Sequence, residues 1–197
     1  MKKLRTAADE RKKQKRNNII ISGVLIFVIS ASIFGIVATS FGSDSSSDPN
    51  SVSIDYNGYK FVANGGYWNL NAGDLTFTFK HTPYESNELG VNASNLNSLT
   101  FYSQKPLYLY SEDSPSTSEI YSNVIPYVSR AQLACYDEEH CNGDFPIKNC
   151  EDNFIIIRKS ETPKVFQNES CLYIEGPEEN LTKLTDLFLF KALGIED

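Results

Sequence analysis

Four cysteines and two histidines are the residues of this chain whose types could support metal binding, redox chemistry or a covalent crosslink. Three of the cysteines and His140 lie in one acidic stretch, ACYDEEHCNGDFPIKNC, which runs from residue 134 to residue 150. A zinc site, a reactive thiol and a pair of disulfides all use these residue types. The spacing and the neighbouring charges distinguish the three.

The spacing disfavours a metal site. The cysteines follow the pattern Cys135-x5-Cys141-x8-Cys150-x20-Cys171, whereas structural zinc sites use ligand pairs separated by about two to four residues. His140 is adjacent to Cys141, so the two side chains could hardly bind one ion together. The acidic loops also lack the Asp-x-Asp-x-Asp-Gly pattern of a calcium loop. We therefore expect no metal.

A reactive thiol is also disfavoured, because there is no Cys-x-x-Cys motif and the loop is acidic. Negative charge raises the pKa of a thiol and makes the thiolate scarce. The acidic residues of the loop are Asp137, Glu138, Glu139 and Asp144. Disulfides remain as the interpretation of all four cysteines.

A hairpin in the second half of the chain favours one of the three possible disulfide pairings. If residues 154–158 turn at 159–163 and pair with 164–168, position 150 lies opposite 172 and therefore beside Cys171. Cys135 and Cys141 then close a small loop. Loop-closure entropy gives about 3.4 kcal/mol for the Cys150–Cys171 bridge and about 2.4 kcal/mol for Cys135–Cys141.

Other catalytic constellations are not evident. His81 stands at the expected end of a strand beside Pro83, but no Gly-x-Ser-x-Gly motif accompanies it. The sequence has no phosphate-binding glycine loop and no haem motif, so no cofactor is expected. Paired carboxylates are numerous, and a carboxylate hydrolase remains an open alternative.

The segments around these residues point to a membrane anchor. Residues 19–41, IIISGVLIFVISASIFGIVATSF, carry no charge and are long enough to span a bilayer as a helix. Residues 1–18 hold eight basic and two acidic residues, which places this tail in the cytoplasm. Ala31, Gly35 and Thr39 form a stripe of small residues through which two spans could associate. Cleavage after Ala38-Thr-Ser40 is the alternative to an uncleaved anchor.

The remaining chain is expected outside the membrane. Residues 42–197 hold 10 basic and 23 acidic residues, which excludes nucleic-acid binding by charge. Residues 42–53 form a flexible polar spacer, and 54–197 form one domain. Cysteines in a chain outside the cytoplasm are typically oxidised. The asparagines of the three N-glycosylation sequons are Asn92, Asn168 and Asn180.

The domain is predicted to be mixed α+β. Alternation of apolar and polar residues between 59 and 79 predicts a three-stranded antiparallel meander. A β-α-β-β-β-α order is expected to follow, with strands at 99–102 and 107–110, a helix from Ser114, and strands at 127–135, 154–157 and 164–175. A final helix begins at Pro177 and ends at Gly194. Its apolar stripe, which predicts packing on the second sheet, is Leu181, Leu184, Leu187, Phe188 and Leu193.

The segments YNGYKF, GGYW, LTFTFKHTPYE and CLYIEGPEENLTKLTDLFLFKALGI resemble a group of archaeal single-span membrane proteins. These proteins pair an aromatic-rich meander with a cysteine-bearing α/β tail. The resemblance covers most of the exported domain. It implies this architecture and an archaeal source, and it implies no catalytic residues.

The expected function is that of a non-enzymatic, membrane-anchored ectodomain for binding or envelope assembly, with the lipid bilayer and envelope proteins as partners. A pilin-like filament subunit is one alternative, since pilins also join an apolar N-terminal helix to a disulfide-bonded head. An anchored hydrolase or redox helper is the other.

Overall fold

A computed structural model describes residues 52–141 and 143–196. The predicted cytoplasmic tail, the predicted span 19–41 and residues 42–51 of the spacer lie outside this part. Among the described residues, no helix has the length and apolar character needed to cross a membrane. The described part forms a mixed α+β domain, as predicted, with one antiparallel and one mixed sheet.

Along the chain, four strands come first, and helices interspersed with strands follow. The strands are β1 (Ser53–Tyr56), β2 (Tyr59–Asn64), β3 (Tyr67–Ala72), β4 (Leu75–Phe79), β5 (Pro106–Ser111), β6 (Arg130–Leu133), β7 (Phe154–Lys159), β8 (Lys164–Asn168) and β9 (Cys171–Gly176). The α-helices are α1 (Pro83–Asn87), α2 (Leu99–Tyr102), α3 (Ser114–Asn123) and α4 (Leu181–Ala192). Short 3₁₀ turns occupy Ile125–Tyr127 and Glu178–Asn180.

The first sheet is an antiparallel meander in the order β1-β2-β3-β4. It has one strand more than predicted, because β1 pairs with β2 through the turn at Asn57-Gly58. Both turn residues have positive φ, at 47° and 83°, which suits a tight hairpin turn. The first strand also includes Ser53, which the sequence assigned to the spacer.

The second sheet has the order β6-β5-β7-β9-β8. The pairs β5–β6, β5–β7 and β7–β9 are parallel, and β8 pairs antiparallel with β9. The predicted hairpin of 154–158 with 164–168 is therefore wrong. The reason is that the first four residues of β7 are buried, so β7 lies in the middle of the sheet between two parallel partners.

The predicted strand 164–175 is also wrong as a single element. The chain reverses at Glu169, whose φ is 52°, and the two halves become β8 and β9. Leu99–Tyr102, predicted as a strand, is a one-turn helix that begins after Ser98 and buries Tyr102. Four residues are too few for periodicity to separate the two states.

One hydrophobic core joins both sheets to α4. The predicted stripe of α4 is largely correct, since Leu181, Leu184, Leu187 and Phe188 are buried. The helix also contacts the meander, because the Phe190 ring lies 5.8 Å from that of Phe61 and 4.6 Å from that of Phe79. Nine of the twelve residues of α4 are buried, so it is enclosed on nearly all sides.

The mixed sheet has two different faces. Odd-numbered residues of β5 and β7, such as Leu109 and Ile155, belong to the core with α4. Even-numbered residues, such as Tyr108 and Ile156, belong to a smaller second cluster on the other side. We call that second side the outer face. It carries Tyr108, Tyr110, Phe154, Ile156, Arg158, Phe166, Cys171, Tyr173 and Glu175.

Candidate functional site

The structure joins the four cysteines in two disulfides, Cys135–Cys141 and Cys150–Cys171. These are the pairs that the hairpin argument favoured, although the pairing of the strands differs. Cys171 is opposite Phe154 in the parallel β7–β9 register, and Cys150 lies just before β7. The bridge therefore connects the same end of two neighbouring strands. No cluster of potential metal ligands occurs in the described residues.

The stretch 134–150 lies against the outer face. Its first cysteine is held in a short ladder, since the N–H of Cys135 donates to Pro146 O at 3.0 Å and the N–H of Lys148 donates to Cys135 O at 2.8 Å. The Lys148 ammonium lies 4.2 Å from the centre of the Tyr108 ring. Residues 134–150, which we call the stapled loop, thus combine a disulfide at each end with hydrogen bonds and a cation–π contact.

Tyr136 of the stapled loop and side chains of the outer face form a row of three rings and one cation, Arg158. The Arg158 guanidinium lies between two rings, 5.5 Å from Tyr136 and 5.7 Å from Tyr173. The Tyr173 ring stacks on Phe166 with a centroid distance of 4.8 Å. Arg158 also donates two hydrogen bonds to Glu175 Oε1, at 2.8 and 2.5 Å, which fix the guanidinium plane.

Several of these side chains are exposed at the surface. Phe166 is 38 % exposed on β8, and Phe145 and Ile147 of the stapled loop are more exposed still. A hollow of about 260 Å³ lies between the stapled loop and the end of β5. Exposed apolar groups clustered on one face are typical of an interaction site.

His81 belongs to a second region, just after the last strand of the meander. It follows β4 and precedes Thr82, which begins α1 with a capping box: Thr82 Oγ1 accepts from the Glu85 N–H, and Glu85 Oε2 accepts from the Thr82 N–H. This capping hydrogen bond lowers the pKa of Glu85. The cap fixes the backbone on one side of His81 and the sheet fixes it on the other.

Asp186, in the middle of α4, contacts His81 through one carboxylate oxygen. Its Oδ2 accepts from the His81 backbone N–H at 2.9 Å and lies 2.9 Å from His81 Nδ1. The carboxyl is fully buried, and burial raises the pKa of Asp186 well above its ordinary value, while backbone donors at His81 and Lys80 oppose this. Asp186 Oδ2 already acts as an acceptor, because it receives a hydrogen bond from a backbone amide. The imidazole nitrogen that faces it must therefore be a donor, so we place the ring proton on Nδ1.

Glu119, on α3, is the third member of this cluster and is 4 % exposed. Burial, together with the neighbouring Asp186 carboxyl, raises the pKa of Glu119 to about 8. Asp186 Oδ1 is buried and has no hydrogen-bond partner. The carboxyls of Glu119 and Asp186 are in side-chain contact, and a hydrogen bond between them requires a proton on one of the two. The pair therefore retains a proton at neutral pH.

The protonation state of His81 is opposite to that of Glu119. Burial lowers the pKa of His81 below its ordinary value, and Lys183 and Lys80 lower it further, while the acidic residues Glu85 and Glu119 act to raise it. At pH 7 the imidazole is neutral and Glu119 is protonated. The contact of His81 with Asp186 is therefore a hydrogen bond of a neutral ring rather than an ion pair of an imidazolium.

A cavity of about 590 Å³ opens beside this cluster, at the N-terminal ends of α3 and α4. His81 is 21 % exposed there, and no hydrogen bond of the described residues uses its Nε2. Asp113 also faces the cavity, but its carboxylate caps α3 by accepting from the Ser116 N–H at 2.8 Å. The lining consists of Tyr67, Lys80, His81, Asp113, Ser114, Pro115, Ser118, Glu119, Glu178, Glu179 and Thr182.

The sequence singled out His81 but not its two partners. Asp186 carried no clear signal, because Thr182 and Lys183 lie on the same side of α4 and predict a polar side there. Its burial follows from the fold, in which nine of the twelve residues of α4 are buried. Glu119 carried no signal either, since α3 is polar and its buried side is set by contact with β4 and α4.

The remaining candidate residues lie apart from this cavity. His140 is on the stapled loop, where its Nδ1 is 2.9 Å from Asp137 Oδ1, and both side chains are exposed. Asn92 and Asn168 are exposed, whereas Asn180 is half-buried in the turn before α4. Ala31, Gly35 and Thr39 lie outside the described residues.

Comparison of the chain with protein-family models, with curated proteins and with solved structures gives no match.

Proposed function

We propose that this protein is a single-pass membrane protein with a cytoplasmic N-terminus, whose extracytoplasmic domain binds a partner protein at the cell envelope. The sequence supports the topology through the apolar segment 19–41, the basic residues before it and the acidic domain after it. The four cysteines, all paired in the domain, accord with an oxidising compartment.

The observation that carries the binding role is the row formed by Tyr136, Arg158, Tyr173 and Phe166 on the outer face. Tyrosine and arginine are enriched at protein interfaces, where they supply large contact areas. The two disulfides and the Arg158–Glu175 bonds hold the row in place before a partner arrives, which lowers the entropic cost of binding. Envelope assembly is the process that such an anchored binding domain would serve.

Crosslinking in intact cells tests this proposal. The full chain carrying Phe166→Ser is compared with the wild type and with Tyr121→Ser, a matched change of an exposed ring on α3 away from the outer face. We expect one discrete protein adduct that Phe166→Ser loses and Tyr121→Ser keeps. Retention of every adduct by Phe166→Ser would exclude the outer face as the binding surface.

The topology has its own test. Protease added to intact cells should digest the domain and leave the basic tail protected in the membrane fraction. Filaments containing this protein in electron micrographs would favour the pilin-like alternative. A Gly35→Ile variant that abolishes an in-membrane dimer would support association through Ala31, Gly35 and Thr39.

A further inference from the structure

We propose that the cavity at the N-terminal ends of α3 and α4 is an acid–base site that hydrolyses O-glycosidic bonds, with His81 as the general base and Glu119 as the general acid. This activity goes beyond the proposed binding role and would replace the expectation of a non-enzymatic domain. Asp186 is a positioning residue, since it holds His81 and does not line the cavity.

The base is defined by the hydrogen bonds of the imidazole. Asp186 Oδ2 takes the Nδ1 side of His81, so the lone pair of the neutral ring lies on Nε2, on a ring that lines the cavity. A carboxylate on the far nitrogen also stabilises the imidazolium that forms when Nε2 accepts a proton. His81 is therefore arranged to take a proton from a water molecule in the cavity.

The acid is defined by the buried pair of carboxyls. Asp186 is buried with Oδ1 unpartnered and contacts Glu119, and Glu119 is the member of the pair that lines the cavity. Because two carboxyls in contact resist ionising together, one of them stays a carboxylic acid at neutral pH. When a substrate oxygen replaces Asp186 as the acceptor, Glu119 can protonate it.

The reaction class follows from the other side chains around His81 and Glu119. No hydroxyl or thiol among the described residues hydrogen-bonds to His81, so the geometry lacks the nucleophile of a serine-type hydrolase. An acid that protonates a leaving oxygen and a base that activates water are together what inverting glycoside hydrolysis needs. Carboxylates of Asp113 and Glu179 near the cavity would stabilise the positive charge that develops on the sugar.

The lining also fits a sugar. Tyr67 is 45 % exposed at the rim and offers a flat ring, and hydroxyls of Ser114, Ser118 and Thr182 offer hydrogen bonds to sugar hydroxyls. A volume of about 590 Å³ lies within the roughly 300–1,000 Å³ range of ligand pockets.

The chemical step balances without a cofactor. The oxygen of water forms a bond to the anomeric carbon as the bond from that carbon to the leaving oxygen breaks. One proton of the water passes to His81 Nε2, and the proton of Glu119 passes to the leaving oxygen. Return of the proton from the imidazolium to Glu119 through solvent restores both groups, and no group is oxidised or reduced.

The test uses the full chain in mild detergent with two sets of probes. One set contains nitrophenyl glycosides of glucose, galactose, mannose and N-acetylglucosamine in both anomers, and the other contains the matching disaccharides. Nitrophenolate leaves without a proton, whereas a sugar alkoxide does not. We therefore expect Glu119→Gln to lower kcat on the cleaved disaccharide by about 10²- to 10⁴-fold and to change nitrophenyl glycoside cleavage little.

His81→Ala should lower the cleavage of both probes, and added imidazole should restore part of it. The rate should rise with pH as His81 loses its proton below pH 6.5 and fall near pH 8 as Glu119 ionises. Glu161→Gln, which changes an exposed turn, is the matched control and should behave as the wild type. Absence of turnover on every probe, or equal turnover in His81→Ala and the wild type, overturns the proposal.

Discussion

His81 and Asp186 are 105 residues apart in the chain and share two hydrogen bonds on a single carboxylate oxygen, Asp186 Oδ2. One bond comes from the backbone N–H of His81 and the other joins its ring Nδ1, both at 2.9 Å. The pair ties the end of the meander to the middle of the buried helix α4. It therefore has a structural role in the fold in addition to positioning the imidazole.

The tautomer of His81 can be observed directly. We expect ¹⁵N NMR at pH 7 to show a neutral ring protonated at Nδ1, because Asp186 Oδ2 is an acceptor at that position. Asp186→Asn should leave the fold intact and move the ring towards the Nε2–H form. His140, whose Nδ1 faces an exposed Asp137, serves as the internal reference in the same spectrum. An Nε2–H ring in the wild type would contradict this arrangement.

The pH dependence of stability reports on Glu119. Its pKa is about 8 in the folded protein and near 4.5 when the chain is unfolded, so the unfolded state loses its proton first as the pH rises. The stability that Glu119 contributes is thus complete below about pH 4.5 and is lost as the pH approaches 8. Because one proton is involved, the free energy of unfolding should fall by up to about 1.4 kcal/mol per pH unit.

Glu119→Gln is the matched variant for this measurement. Its amide cannot ionise, yet it can still donate a hydrogen bond to the Asp186 carboxylate. Urea unfolding between pH 6.5 and 8 should show a shallower slope for Glu119→Gln than for the wild type, and His81 is present in both proteins. Parallel slopes for the two proteins would mean that Glu119 is ionised in the folded state.

The sequence predicted which residues form strands better than it predicted which strands pair with each other. Alternation from Tyr59 to Phe79 identified three strands of the meander, because one face of that sheet is buried and the other is polar. The buried run at Phe154 identified a strand but not its partners. Its parallel neighbours β5 and β9 are selected by tertiary packing, which a local pattern does not contain.

The Cys150–Cys171 disulfide was predicted correctly although the predicted strand pairing was wrong. The Cys150–Cys171 pair was inferred from a hairpin that does not form. In the parallel sheet, the start of β7 lies beside the start of β9, and this also brings the two cysteines together. The Glu119–Asp186 contact, in contrast, joins two helices with no sequence relation, so only the folded structure reveals it.

Removal of the two disulfides should have unequal effects. Cys150→Ala with Cys171→Ala opens a loop of sequence separation 21 and should cost about 3.4 kcal/mol, whereas Cys135→Ala with Cys141→Ala opens one of 6 and should cost about 2.4 kcal/mol. Fluorescence of Trp68, the single tryptophan, reports the urea transition. A larger loss from the smaller loop would show that contacts of the stapled loop, and not chain entropy, dominate.

Glycosylation should distinguish the three sequons when the protein is exported in a host that has the transferase. Asn92 and Asn168 are exposed, but Asn180 is half-buried and the hydroxyl of its sequon, Thr182 Oγ1, is 3.4 Å from Asp113 Oδ2. We expect glycopeptide mapping to find sugar on Asn92 and Asn168 and none on Asn180.

These two positions lie beside β8, which is an edge strand of the mixed sheet. Asn168 ends that strand, and Asn92 lines the groove of about 450 Å³ along it. Unpaired edges promote association of sheets, so sugars there should keep the domain apart from other copies. Asn92→Gln with Asn168→Gln should increase concentration-dependent self-association in sedimentation experiments, and Asn180→Gln should not. Equal sedimentation of all three proteins would show that the edge needs no such cover.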